Sequence, residues 1–124
     1  MTLGPVRFTG KVEDIRSVYD DCDAFVCPFK EEGYGSKLKI AQALSMGICV
    51  ITTSNGARGF PLSNNENALI ADTDEEFIRD IVTALGNQDL RQRIGAAGRQ
   101  FALRHLDWQV IGPRLRGIVA DLQG

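Results

Sequence analysis

The residues best suited to chemistry in this chain are gathered between Gly33 and Gly47. There the sequence reads Gly33-Tyr-Gly-Ser-Lys-Leu-Lys39 and continues through an apolar, helix-like stretch to Met46-Gly47. Two glycines one residue apart let a backbone turn sharply and let a ligand approach closely. Ser36 is a natural N-cap, so the free amides of the first helical turn would face outward with the positive end of the helix dipole. Lys37 and Lys39 add two cations at the same place. This combination suits an anion, and a diphosphate in particular. A plainer reading fits the same residues: the lysines as a solvated first turn, with Glu31 and Glu32 solvating a loop.

Such a site needs strands and helices to hold it. Ala24 to Pro28 is a continuous apolar run closed by proline, the pattern of a parallel strand covered on both faces. Lys37 to Met46 reads as a helix, and Cys49 to Thr52 as a second buried strand rich in β-branched residues. Upstream, Val6 to Thr9 reads as a short strand, and Val12, Ile15, Val18 and Tyr19 mark one face of a helix. Thr53 to Asn67 is rich in Gly, Ser, Asn and Pro, which predicts a loop with room for one short helical turn. Ala68 to Ala71 is the last short strand. Beyond it Asp72 to Asp74, with Thr73 the best of them, can cap a helix with the stripe Phe77, Ile78, Ile81, Val82 and Leu85, stopped by Gly86 and Asn87. A second helix carries Leu90, Ile94, Ala97 and Phe101 on one face. Asp107 can cap a third, with Trp108, Ile111, Leu115, Val119 and Leu122 as its stripe and Pro113 early in it. The alternation predicts an α/β fold, a Rossmann-like parallel sheet of about four short strands with flanking helices, in one domain over residues 1–124. Sheets of this kind bind ligands at the carboxyl ends of their strands, which is where Gly33 to Lys37 falls.

Composition narrows the possibilities. The 124 residues are 44% apolar and 24% charged with a net charge of −2, ordinary for a globular domain and unlike the basic surface of a nucleic-acid binder. No apolar run approaches a membrane span of about 18 residues, and Met1 to Thr9 lacks the pattern of a signal peptide. Cys22, Cys27 and Cys49 are odd in number and form no CxxC pair, which disfavours a disulfide framework or zinc site and fits a reducing cytoplasm. His105, the sole histidine, reads as a helix-end or solvated residue. Asp20, Asp21 and Asp23 read as solvated residues, and Arg58 as a candidate anion contact in the loop Asn55 to Phe60.

The run Gly35-Ser-Lys-Leu-Lys-Ile-Ala-Gln-Ala-Leu-Ser-Met-Gly-Ile-Cys-Val-Ile-Thr-Thr53, followed by Gly56-Ala-Arg-Gly-Phe60, resembles the donor-site region of family 4 glycosyltransferases of the GT-B architecture. Val6-Arg-Phe-Thr-Gly-Lys-Val-Glu-Asp14, Asp23-Ala-Phe-Val-Cys-Pro28, Asp89-Leu-Arg91, Gly95-Ala-Ala-Gly-Arg99 and Asp107-Trp108 resemble the flanking motifs in the same order. The resemblance implies a nucleotide-sugar-binding domain. Gly33, Gly35, Ser36 and Lys37 would hold the donor diphosphate, with Lys39 supporting them or anchoring the helix. Glu32, or Glu31 in its place, would be the acidic catalytic residue facing the donor sugar. Tyr34 and Gln42 would lie with Glu31 at the donor ribose and sugar. The sequence departs from the family twice. Gln42 stands where a glutamate is usual and offers one good acceptor oxygen instead of two. Glu32 and Gln42 are also ten positions apart where the family has eight.

Further expectations follow from the resemblance. The whole enzyme would move a sugar from a nucleotide-diphosphate donor to a glycan, lipid or small-molecule acceptor, with retention and with neither cofactor nor metal. The family domain has six strands, of which Val6 to Thr9 and Ala24 to Pro28 would be the third and fourth. The first two, and an N-terminal acceptor-binding domain, lie outside this sequence, and the whole enzyme can be membrane-associated. The chain alone would then be inactive, with an open edge at Ala24 to Pro28. Open edges invite pairing, either in a homodimer or by docking of Val6 to Thr9 directly on Ala24 to Pro28. The competing expectations are a degenerate, non-catalytic binding or assembly module, and an unrelated doubly wound domain whose mark would be acids at strand ends.

Overall fold

The structure is a computed structural model that describes residues 2–3, 6–7, 10, 13–29, 38–106 and 120. Its elements in chain order are β1 (Thr2–Leu3), β2 (Val6–Arg7), α1 (Ile15–Asp20), β3 (Ala24–Cys27), α2 (Leu38–Ser45), β4 (Cys49–Thr52), α3 (Ser54–Ala57), β5 (Leu69–Ile70), α4 (Asp74–Leu85) and α5 (Gln88–His105). β3, β4 and β5 form a parallel sheet in that order. Ala24 pairs with Cys49 and Cys27 with Thr52, and Ile51 pairs with Leu69. β4 is central and all four of its residues are buried, as its β-branched run predicts.

The strand expected near Val6 forms, but with a different partner. β2 pairs antiparallel with β1 in a separate two-stranded sheet, and among the described residues β3 pairs with β4 alone. Val6 follows Thr2 by only four positions, so this pairing closes a short loop at lower entropic cost than docking on β3, which starts at Ala24. The parallel sheet therefore holds three of the expected strands. The caps and stripe of the third expected helix, Asp107 to Leu122, lie outside the described residues.

Alternation along β4 divides the core. Val50 packs with Ile40, Ala43 and Leu44 of α2 and with Phe101 and Ala102 of α5. Cys49 and Ile51 face the other way, with Leu69, Ala84 of α4 and Ile94 of α5. α5 thus serves both layers, its first half on one face and its second half on the other. It crosses at the amino end of β4, and glycine makes the crossing possible. A Cβ on Gly95 would lie 2.2 Å from the carbonyl oxygen of Gly47, and one on Gly98 would lie 3.1 Å from that of Asn67.

Local chemistry sets the ends of the elements. α2 closes in a Schellman motif: Ile48 N–H donates to Ala43 and Gly47 N–H to Leu44, with Gly47 at φ +74°. Thr73 caps α4 by accepting from the N–H of Glu76 at 3.1 Å, and the Glu76 carboxylate returns to the N–H of Asp72. Arg91 of α5 donates to the last carbonyls of α4, Ala84 and Leu85, both at 2.8 Å. Cys49 is buried, and burial pushes its thiol up to about 11, which keeps it neutral and inert.

Candidate functional site

The carboxyl ends of β3, β4 and β5 open into a cleft of about 760 Å³. Pro28 and Phe29 bound it where the chain leaves β3, Thr53 where it leaves β4, and Ala71 and Asp72 where it leaves β5. Asn55 of α3 and Phe77 and Ile78 of α4 close the remaining sides. The walls are thus apolar and aromatic, with hydroxyl, amide and carboxylate groups set among them, a composition typical of small-molecule sites.

Three hydroxyl-bearing residues organise the rim. Thr53 caps α3, with its Oγ1 accepting from the N–H of Gly56 at 3.1 Å and donating to the carbonyl of Phe29. Thr52 Oγ1 donates to the carbonyl of Cys27 at 2.8 Å. Ser54 donates its N–H and its hydroxyl to the two carboxylate oxygens of Asp72, at 2.8 and 2.6 Å. Those two bonds hold the Asp72 carboxyl below the usual carboxylate range. An acid therefore follows the end of β5, and it joins β5 to α3.

The sequence-predicted residues fall into three groups. Glu31, Glu32, Gly33, Tyr34, Gly35, Ser36 and Lys37 lie outside the described residues, between Phe29 at the cleft and Leu38 at the start of α2. Lys39 is exposed in the first turn of α2, and its charge reaches the thiol of Cys27 at the end of β3. Gln42 is half-buried and lines a separate groove of about 370 Å³ with Tyr19, Leu38, Met46 and Leu106. It does not line the strand-end cleft. Arg58 is exposed at the end of α3, with Nη2 3.4 Å from Oδ1 of Asn55. His105 ends α5 and packs its ring on Phe101, with centroids 4.7 Å apart. Among the described residues no three His, Cys, Asp or Glu side chains converge as a metal site, and no helix is long and apolar enough to cross a membrane.

Sequence reasoning missed Thr53 and Asp72 as rim residues. The signal for Thr53 was weak but present, since threonine is a favoured N-cap residue and it opens the loop expected to hold a short helical turn. Asp72 had no such signal, because its partner Ser54 is distant in sequence.

The sequence profile of the glycosyl transferases group 1 family matches residues 2–87. The capsular polysaccharide biosynthesis glycosyltransferase CapM of Staphylococcus aureus is 29% identical over 114 residues, which cover 86% of this chain and 28% of CapM. In fold, the chain is similar to the C-terminal domain of the glycosyl transferase group 1 family protein LpcC from Francisella tularensis. The TM-score is 0.69 at 20% identity, over 82% of this chain and 52% of that one. The chain spans little more than a quarter of the curated relative and about half of the solved domain.

Proposed function

This chain belongs to the glycosyl transferases group 1 family, and from that premise we propose that it is the donor-binding portion of an enzyme of polysaccharide biosynthesis. The whole enzyme transfers a sugar from a nucleotide-diphosphate sugar to a glycan, lipid or small-molecule acceptor, with retention and without a metal. The observation that carries this reading is the cleft at the carboxyl ends of three parallel strands, bounded by Phe29, from which the chain runs on to Gly33–Lys37. Ligands of open α/β sheets collect at that end.

In this proposal Gly33, Gly35, Ser36 and Lys37 receive the diphosphate through amides and charge, with Lys39 adding to the local positive potential. Glu32, or Glu31, faces the donor sugar, and Tyr34 and Gln42 serve the ribose. The acceptor is held by a domain outside this chain, so the chain binds donor without transferring sugar. Among the described residues β3 pairs only with β4, and its other edge suits pairing with a second copy. One observation favours a second reading, that of a degenerate, non-catalytic binding or assembly module: Gln42 is an amide where the family has a carboxylate, and it lies in its own groove.

The test is calorimetric titration of UDP- and GDP-sugars into the chain, in EDTA, beside a radiolabelled transfer assay. Binding without turnover is the expected result. Turnover by the chain alone would refute its dependence on an acceptor domain, and absence of binding to either sugar nucleotide would refute the donor role.

A further inference from the structure

The strand-end cleft combines apolar walls with charge of one sign. Pro28 and Phe29 contribute to it from the exit of β3, and Phe77 and Ile78 from α4. Its ionisable liners are Asp72 and Asp74, and among the described residues no lysine, arginine or histidine lines it. Arg58 comes near, with Nη2 3.4 Å from Oδ1 of Asn55, but does not line the cleft itself. Both aspartates are exposed. They flank the start of α4, whose first turn holds Asp74, Glu75 and Glu76. Three carboxylates in one turn outweigh the half-charge of the helix dipole at that end, so this side of the cleft is negative. Each carboxylate oxygen of Asp72 takes one bond from Ser54, at 2.8 and 2.6 Å. A carboxylate has about four lone-pair sites, so about two remain for donors from a ligand. The Ser54 hydroxyl and N–H also keep the Asp72 carboxyl ionised at neutral pH.

A group that fits these walls must offer an apolar face to the aromatic and aliphatic side chains, and hydrogen-bond donors to the carboxylates. A sugar ring does both, with C–H groups on its faces and hydroxyls at its rim. An ionised carboxylate on that ring has no proton to donate, and Asp72 and Asp74 repel it. We infer that the cleft takes the transferred sugar of the donor and selects one without negative charge, a neutral sugar over a uronic acid, with Asp72 and Asp74 as the specificity-determining residues. This rests on the donor-binding reading above. Phosphate carries the same unfavourable charge, so the diphosphate stays outside the cleft and the discrimination falls on the sugar.

The experiment is calorimetric titration of two matched pairs, UDP-glucose with UDP-glucuronate and GDP-mannose with GDP-mannuronate, into the 124-residue chain and its variants. Within a pair the base, ribose and diphosphate are the same, and only a hydroxymethyl group becomes a carboxylate. In the pair whose base the chain accepts, the uronate should bind about tenfold more weakly, as one or two like charges across a solvated cleft require. Raising the salt from about 0.05 M to about 0.5 M should bring that preference below about threefold, because screening weakens the repulsion. Asp72→Asn and Asp74→Asn should each narrow the preference to about threefold at low salt. Each should keep affinity for the neutral sugar within about threefold, since the amide oxygen still accepts. Thermal melting followed by circular dichroism checks that the variants fold, and either one alone suffices for the comparison. Equal affinity for both members of the accepted pair, or tighter binding of the uronate, overturns the inference and leaves the donor reading intact. A preference kept in full by the folded variants places the discriminating charge elsewhere and also overturns it. If the wild-type chain binds none of the four compounds, the donor reading fails and the inference fails with it.

Discussion

At the amino ends of the strands α5 rests directly on backbone, whereas at the carboxyl ends the elements are joined through side-chain oxygens. Gly95 is surrounded by main-chain atoms of Gly47 and Cys49. Gly56, its counterpart at the other end, is confined by the side chains of Thr52 and Phe29. The first arrangement has little freedom to relax, because backbone packed on backbone moves only if whole elements move. The second can adjust, since a hydroxyl can rotate and a carboxylate can release a donor. The difference suits a molecule whose cleft lies at the second end: one end of the sheet is fixed by packing, and the other carries polar groups that a ligand can engage.

The largest expected effect comes from breaking the fixed end. Gly95→Ala in an ordinary helix would stabilise by about 1 kcal/mol. Here the added methyl meets the Gly47 carbonyl, so the substitution should instead destabilise by about 3 kcal/mol, read from urea unfolding curves. A neutral or stabilising outcome would mean that α5 does not lie on the Gly47 turn as described.

Gly56→Ala should be milder. The methyl meets Oγ1 of Thr52, which can rotate away at the cost of its bond to Cys27. A loss of about 1 to 2 kcal/mol is expected, most of it the unmade hydrogen bond. Equal losses at positions 56 and 95 would erase the proposed contrast between the two ends.

The smallest effect should be seen in the pH dependence of the Ser54–Asp72 link. The folded-state carboxyl of Asp72 is held below its unfolded value by the Ser54 N–H and hydroxyl. Its contribution is therefore present above the unfolded value, about 3.9, and is lost as pH falls through the lower folded value. Asp72→Asn should be less stable than wild type at pH 7, with the gap closing in strong acid, as measured by unfolding at a series of pH values. A gap that stays constant with pH would show that the carboxylate charge contributes nothing there.

Much of this architecture was legible in the residues. Ala24 to Cys27 and Cys49 to Thr52 announce themselves as strands through continuous apolar runs, but only β4 is covered throughout, whereas β3 leaves Val26 exposed. Thr73, Gly86 and Asn87 mark their helix ends through chemistry that acts over three or four residues. The loop Thr53 to Asn67 was expected to have room for one short helical turn, and the structure places it at Ser54–Ala57. Family membership stands out by residue type and order alone.

What the residues did not reveal are the relations between distant positions. Nothing in Val6–Arg7 states that it pairs with Thr2–Leu3 and stays out of the parallel sheet. Ser54 and Asp72 do not point to one another in sequence, and nothing in the sequence places Gln42 in a groove with Tyr19 and Leu106. Gly95 and Gly98 were recognisable as a motif, but their reason is a helix crossing that exists only once β4 and α2 are packed. Local hydrogen-bonding rules and hydrophobic periodicity are short-range, so sequence alone determined most of the elements and their caps. Which strand pairs with which, which hydroxyl anchors Phe29 and which face receives Gln42 depend on contacts between residues far apart in the chain. Only the packed tertiary structure, where those residues compete for the same space and the same hydrogen-bond partners, could decide them.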